Sequence, residues 1–380
     1  MSIASETATT TITTVRFNDH YPLNGFKLLE VSSDVLDDLQ STGRLVIKGV
    51  DKNDEAVLCT SIKTYVLKSA HTSNSMMLTH QQTGSNTYSI ESLQQLHYEL
   101  TEIPPRLATI KTHLLKRPID NNQCFNNVDG MVIDNGTDVS TAVGYTMPQL
   151  ESLVQASPLE IQQYLNSVLH VFHIGDRIAL FSERYHERLV ELILTEININ
   201  GWSSHSIPIN ECIEKIGDTP RQALEYIFHI YATKCEDKMS SNSDQYYKLD
   251  TNMICIFRGK QILKSVGVMP MDKFLEKWTD SVPVGFTPRF DMLKGVAVAT
   301  VAKNNNKPTA TYLSEEDLPI MPKDRFIQLF KINTKWSLPE LEPYIRPIIT
   351  QDAGLESFVL KFARSAPVPG SKEKIYMSRY

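Results

Sequence analysis

The sequence predicts an α+β protein in which a small N-terminal β region precedes a series of tandem winged-helix units. Three observations carry this prediction. From about residue 26 to 78 the apolar runs are four to seven residues long, rich in β-formers and separated by polar turns. Beyond residue 146, longer stretches of helical periodicity alternate with short apolar pairs around turns. The whole chain, 380 residues with 41% hydrophobic and 22% charged, has an ordinary globular composition and the length to bury a core without disulfides or structural metal.

Residues 5–14 read SETATTTITT, which offers little to bury, and 1–20 are expected as a disordered tail. The runs FKLLEVS, RLVIKGV, EAVLCT, KTYVLKS and NSMMLTH follow as strands, divided by STG (41–43), DKND (51–54) and SAHTSN (69–74). A helix over 34–40 interrupts them, with Ser33 as its N-cap. YELT (98–101) is a further strand candidate. Short strands this few leave edges unless they are closed or paired, so residues 21–100 are expected to join strands from other chains. Residues 101–143 hold one helix and a linker. Pro104-Pro105 starts the helix, Leu107, Ile110 and Leu114 share one face, and Pro118 stops it. In 120–138, 11 of 19 residues are Asn, Asp or Gly, which marks the clearest boundary in the chain.

Residues 144–202 read as the first winged helix. A helix starting at Thr146-Met-Pro buries Leu150 and Val154, and a second from Ser157-Pro158 turns Leu159, Tyr164 and Leu165 inward. HVFHIGDRIALFS then forms a hairpin around Gly175-Asp176, and a longer helix covers 183–197. Residues 203–316 read as a second winged helix with an extra helical unit: helices at 209–216, 220–232, 251–265, 271–279 and 288–294, the strand YYKL, and a wing made of VAVATVA, NNNKP and TATYLS. Residues 317–380 form the third, with helices at 322–332, 338–345 and 354–364 and a final strand KIYMS. The repetition is architectural, since no residue period aligns the units, and three or four are counted.

Net charge is −6, which excludes a protein that coats nucleic acid by bulk charge but not a local basic site. No run of 18 apolar residues and no secretory leader pattern occurs, so a cytosolic or nuclear location is expected. Cys59, Cys124, Cys212, Cys235 and Cys255 lie far apart without C-x-x-C spacing, as reduced thiols would. Gly259-Lys260 is the nearest approach to a Walker loop, but Gln261 replaces the hydroxyl residue and Ile254 the first glycine. His170 and His173 lack a third ligand, Ala56 stands where a calcium loop after Asp51 needs glycine, and Asp37-Asp38 and 315–317 read as solvated acids. The chain is therefore read as a non-enzyme with no cofactor and no metal.

Charge gathers at the end. Residues 361–380 carry Lys361, Arg364, Lys372, Lys374 and Arg379 against Glu373 alone, while residues 1–360 carry −10. In the 354–364 helix, Leu355, Phe358, Val359 and Phe362 form a buried stripe, and Lys361 and Arg364 point the other way. With Lys372 and Lys374 at the hairpin tip, this unit suits phosphate contact; a solvated helix with a basic tail is the alternative. The helix at 158–168 carries Glu160 and no basic residue, so it suits protein contact, with Gln162, Gln163 and Ser167 exposed.

Several segments together resemble the Dcc family of sister chromatid cohesion proteins: AVLCTSIKTYVLKSAHTSNSMML (56–78), YELTEIPPRLATIKTHLLKRP (98–118), FLEKWTDSVPVGF (274–286), DMLKG (291–295), LPIMPKDRFIQLFKINTKWSLPELEPYI (318–345) and the ending KIYMSR. The likeness is collinear from about residue 21 to the end, leaving out the Ser/Thr-rich start and the Asn-rich loop. It implies a nuclear, non-catalytic subunit of an alternative replication factor C clamp loader. It further implies that the β region completes a multi-chain β-barrel with the C-terminal tail of the loader's large subunit and with the small chromosome transmission fidelity protein. The winged helices would dock on the catalytic subunit of DNA polymerase epsilon and bind single- and double-stranded DNA, and the sliding clamp would be met indirectly. A tandem winged-helix transcription regulator and a scaffold confined to protein contacts are the other readings.

Overall fold

A computed structural model describes residues 13–18, 25–49, 55–81, 83–84, 86–125, 142–167, 170–235, 245–301, 307–349, 354–368, 370 and 373–379. They form a mixed α+β arrangement with one six-stranded sheet and four three-stranded sheets. Two compact units result, one from residues 1–109 with 148–168, the other from 110–147 with 169–380. No helix among the described residues is long and apolar enough to cross a membrane. Residues 1–12, the DKND turn and most of the Asn-rich linker lie outside the described residues.

The first unit is built on β1 (Thr14–Phe17), β2 (Leu28–Leu29), α1 (Ser33–Thr42), β3 (Val46–Lys48), β4 (Val57–Cys59), β5 (Thr64–Gln81) and β6 (Thr87–Glu102). The order is β1-β6-β5-β4-β3, with β2 also on β6, and the sheet is open among the described residues. β1 and β2 run parallel to β6, and the other pairs are antiparallel. Val35, Leu58 and Tyr65 form its core with Leu29, Val31, Leu45 and Leu100 against them.

This sheet differs from expectation at four places. SAHTSN is no turn. β5 runs through it as one strand, because β6 supplies a ladder partner and the irregularity is absorbed as a register shift between His71 and Met76. β6 extends far upstream of YELT. Thr14–Phe17, inside the expected tail, pairs with β6. α1 has Ser32, not Ser33, at its N-cap position, and Gly43 closes it in the left-handed conformation at φ 67°.

Helices α2 (Ala108–Leu114), α3 (Met147–Leu153) and α4 (Pro158–Ser167) follow. The α3–α4 junction is stitched into the first unit. Gln155, only 2% exposed, donates to the carbonyls of Lys48 (3.3 Å) and Glu55 (3.1 Å) and accepts from Arg106 Nη1 (2.6 Å). The Lys48 ammonium donates to the Val154 and Ala156 carbonyls. On α4 the buried pair is Ile161 and Leu165; Leu159, expected inward, is exposed.

One element order recurs along the chain: helix, short strand, helix, helix, hairpin. It reads α2, β7 (Tyr145–Thr146), α3, α4, β8 (Phe172–Ile174), β9 (Arg177–Ala179), then α5 (Glu183–Ile199), β10 (Ile207–Pro208), α6 (Ile209–Ile216), α7 (Arg221–Tyr231), β11 (Ala232–Lys234), β12 (Tyr246–Leu249). Next come α8 (Thr251–Val266), β13 (Val268–Pro270), α9 (Met271–Ser281), a 3-10 turn at Phe290–Leu293, β14 (Ala297–Val301) and β15 (Pro308–Tyr312). The last set is α10 (Pro322–Ile332), β16 (Trp336–Ser337), α11 (Leu338–Ile345), α12 (Leu355–Phe362), β17 (Ala363–Pro367) and β18 (Lys374–Ser378). In every set the short strand pairs antiparallel with the last strand, which also pairs with the middle one. The helix expected at 288–294 is a single 3-10 turn, because Arg289 is extended, Lys294 has left helical backbone (φ −56°, ψ 127°) and Gly295 follows at φ 81°.

α5 shows how these helices are held. Ser182 accepts from the Tyr185 amide at its start, and Tyr185, Leu189, Val190, Ile193, Leu194 and Ile197 form its buried stripe. One apolar core runs from Ile119 to Ala310 through the middle sets, and a second, around Phe326, Trp336, Tyr344 and Tyr376, serves the last. Trp278 and Trp336 are fully buried, and each donates its indole N–H to a carbonyl of the preceding long helix: Cys255 at 2.8 Å and Leu329 at 3.3 Å.

Candidate nucleic-acid interface

The C-terminal basic residues sit on a helix and hairpin whose buried side is aromatic. Val359 is fully buried, and Leu355, Phe358 and Phe362 pack partly buried beside it, as the stripe predicted. Phe362 stacks on Phe326 with ring centres 5.1 Å apart. This packing turns Lys361 outward, near the helix C-terminus, where a cation also suits the helix dipole.

Arg364 is not on the helix. α12 stops at Phe362, Ala363 is extended (φ −128°, ψ 162°), and Arg364 lies on β17 opposite Met377 of β18. The ladder ends the helix two residues before the end that helix phase assumed. Arg364 is nevertheless exposed, and so is Arg379, which follows just past the end of β18, where Ser378 pairs with Ala363 beside Arg364. The Arg379 guanidinium donates to the Lys361 carbonyl at 3.3 Å. Lys361, Arg364 and Arg379 therefore gather where helix meets hairpin.

Lys374 lies at the other end of the hairpin, opposite Pro367. Its ammonium pairs with Glu356 Oε1 at 2.6 Å, and the Tyr376 hydroxyl donates to the same oxygen at 3.0 Å. The Lys374 contact, with Tyr376 adding to it, holds the Glu356 carboxyl below the usual carboxylate range, and burial together with Glu356 pushes the Tyr376 hydroxyl up to about 12. Counting charge from 361 onward misses Glu356, so the local excess at this end is smaller than the sequence implied. Lys372 lies outside the described residues. The missed signal was an acid in the first turn of α12, which sequence reading assigns to the helix dipole.

On α4, Gln162, Gln163 and Ser167 are all exposed, and Ser167 Oγ turns back to the Gln163 carbonyl at 2.6 Å. Glu160 turns back onto the start of its own helix. Its carboxylate accepts from Thr64 Oγ1 (2.6 Å) and the Ser157 amide (2.9 Å), while its own amide donates to Ser157 Oγ (3.3 Å). That reciprocal cap leaves this face neutral and polar, not acidic.

Asp37 is exposed, as solvation predicts, but its neighbour and the 315–317 run are paired. Asp38 accepts from the Ser61 amide at 3.1 Å and from its hydroxyl. Glu316 bridges Lys111 (2.7 Å) and Lys260 (3.4 Å), and Asp317 accepts from the Tyr312 hydroxyl at 3.0 Å. Glu30, His97 and Glu99 come together, with His97 Nε2 3.6 and 3.3 Å from the two carboxylates.

The model of the family described as sister chromatid cohesion protein Dcc1 matches residues 26–345. A probable sister chromatid cohesion protein DCC1 of Dictyostelium discoideum is 33% identical, covering 96% of this chain and 97% of its own length. Sister chromatid cohesion proteins DCC1 of Homo sapiens and Saccharomyces cerevisiae are 28% and 23% identical over 93% and 89% of this chain, and over 88% and 93% of their own. The basic hairpin lies beyond the residues that the family model matches.

Proposed function

This chain belongs to the Dcc1 family of sister chromatid cohesion proteins, and from that premise we propose that it acts in cohesion as a non-catalytic subunit of an alternative replication factor C clamp loader, in the nucleus. The open six-stranded sheet supports assembly: its long β5 edge is covered by β4 only at Thr64–Val66 among the described residues. In this reading the sheet completes a barrel with the C-terminal tail of the large subunit and with the small chromosome transmission fidelity protein. The four recurring strand, helix and hairpin sets are winged helices. The neutral face of α4 docks on DNA polymerase epsilon, and the last set binds single- and double-stranded DNA. The sliding clamp is reached only through the loader.

The grouping of Lys361, Arg364 and Arg379 carries the DNA part. Leaving Lys372 uncounted, these three cations, which pair with no carboxylate among the described residues, give a log–log salt slope of roughly −2.7 on duplex DNA, against roughly −3.6 if Lys374 also contributed. Lys361→Ala with Arg364→Ala should flatten that slope by about 1.8 and leave the thermal melt unchanged, because both side chains are exposed. Fluorescence anisotropy of the full chain across a salt series reads this. An unchanged slope with an unchanged melt removes the DNA role and favours a winged-helix scaffold confined to protein contacts, the reading that the neutral α4 face also fits. A transcription regulator would need basic second helices in several sets. Charged replacements at Gln162, Gln163 and Ser167 should weaken polymerase epsilon capture by the assembled loader while its subunits still co-purify.

A further inference from the structure

We propose that Glu356 is an electrostatic latch that withholds Lys374 from phosphate, so that the hairpin tip joins the DNA interface only when this contact opens. The inference rests on the DNA reading above and concerns the regulation of that same site. Lys374 and Glu356 are both accessible, with side chains 53% and 41% exposed, so a phosphate can reach the pair and compete for the ammonium. The carboxylate is not a loose surface group. The Tyr376 hydroxyl holds it at 3.0 Å, and Tyr376 is itself 1% exposed in the aromatic core of the last set. Its position in the first turn of α12 favours the charged form further. A DNA phosphate must therefore displace a preorganised carboxylate, and Lys374 exchanges one anion for another with little gain. Lys361 shows no such competitor among the described residues: neighbouring Arg379 touches only its main-chain carbonyl.

The test is anisotropy of the full chain with duplex DNA, from 0.05 to about 0.5 M salt, beside a melt of each variant. Glu356→Gln keeps an acceptor for Tyr376 and frees Lys374. It should steepen the slope by about 0.9 and tighten binding about eightfold in 0.1 M salt, the factor one released counterion supplies between 1 M and 0.1 M. Lys374→Ala alone should bind within about threefold of wild type, because that lysine is already occupied. The double variant Glu356→Gln with Lys374→Ala should lose the gain, which assigns it to lysine release by the logic of a double-mutant cycle. A gain that survives in the double variant means that the lost negative charge alone was responsible, and overturns the latch. A large loss in Lys374→Ala with a wild-type melt also overturns it, since Lys374 would already hold phosphate. If Lys361→Ala with Arg364→Ala weakens binding while Glu356→Gln changes nothing, only the latch falls. If no variant changes binding, the DNA reading falls and takes the latch with it.

Discussion

Removing the Arg325 side chain should destabilise the second unit more than any exposed charge change. Arg325 is 3% exposed, and the nearest carboxylate among the described residues, Glu315, stands at the long distance of 4.0 Å. Its guanidinium instead donates to four main-chain carbonyls, those of Pro319 (2.7 Å), Tyr344, Glu315 (3.2 Å) and Leu318 (3.2 Å). It thereby ties the 315–319 segment to α11 from the first turns of α10. Arg325→Met preserves much of the apolar stem but orphans these acceptors, each worth about 1–3 kcal/mol if it stays desolvated. Partial hydration of the segment lowers the sum, and about 3–5 kcal/mol remains for the carbonyls that stay unpaired. For a unit of this size that is a fall of about 6–20 °C in melting temperature. Calorimetry of the variant measures it, and hydrogen exchange should show faster opening at 315–319. Arg325→Lys should recover only part, because one ammonium cannot span four acceptors in a fork. A melting point within about 2 °C of wild type would show that water satisfies these carbonyls already, and the reasoning would fail.

Two further outcomes follow from packing. His186 is ringed by Tyr231 (5.6 Å) and Phe257 (6.2 Å), and burial lowers its pKa to about 4. Its folded pKa lies below the unfolded value of about 6.5, so the unfolded state takes the proton first: stability is complete above pH ~6.5 and declines by up to about 3 kcal/mol as pH falls towards 4. His186→Phe should flatten urea-measured stability between those pH values; an unchanged slope assigns the loss to other groups. A Cβ on Gly259 would stand 3.0 Å from Trp278 and Leu293, so Gly259→Ala should cost about 1–3 kcal/mol in a urea titration despite its better helix propensity, and a stabilised variant would contradict that close approach.

Periodicity and punctuation in the sequence were enough to locate most of the long elements. Ile209–Ile216 forms over the residues expected, the 183–197 helix extends only to Ile199, and the 175–176 turn joins β8 to β9. These elements are set by local preference and by one buried face, both of which a single segment displays. The stripe on α12 was legible for the same reason, and so were the exposure of Lys361 and the neutral residues of α4.

What the chain does at a distance was not legible. The two-residue strands β7, β10 and β16 carry no period and exist only because a hairpin lies beside them. The continuity of β5 through SAHTSN depends on the ladder offered by β6, and the end of α12 before Arg364 depends on β18. Glu160, Arg325 and Glu356 look in sequence like ordinary helix charges. Tertiary structure turns the first into a cap bonded to Thr64, the second into a buried donor to four carbonyls and the third into the partner of Lys374. The division has one physical cause. Helix phase and turn chemistry are settled within a few residues, whereas the destination of a charge is decided by which groups the folded chain brings within about 3 Å of it, and electrostatic pairing at that range depends on neighbours that a linear pattern does not contain.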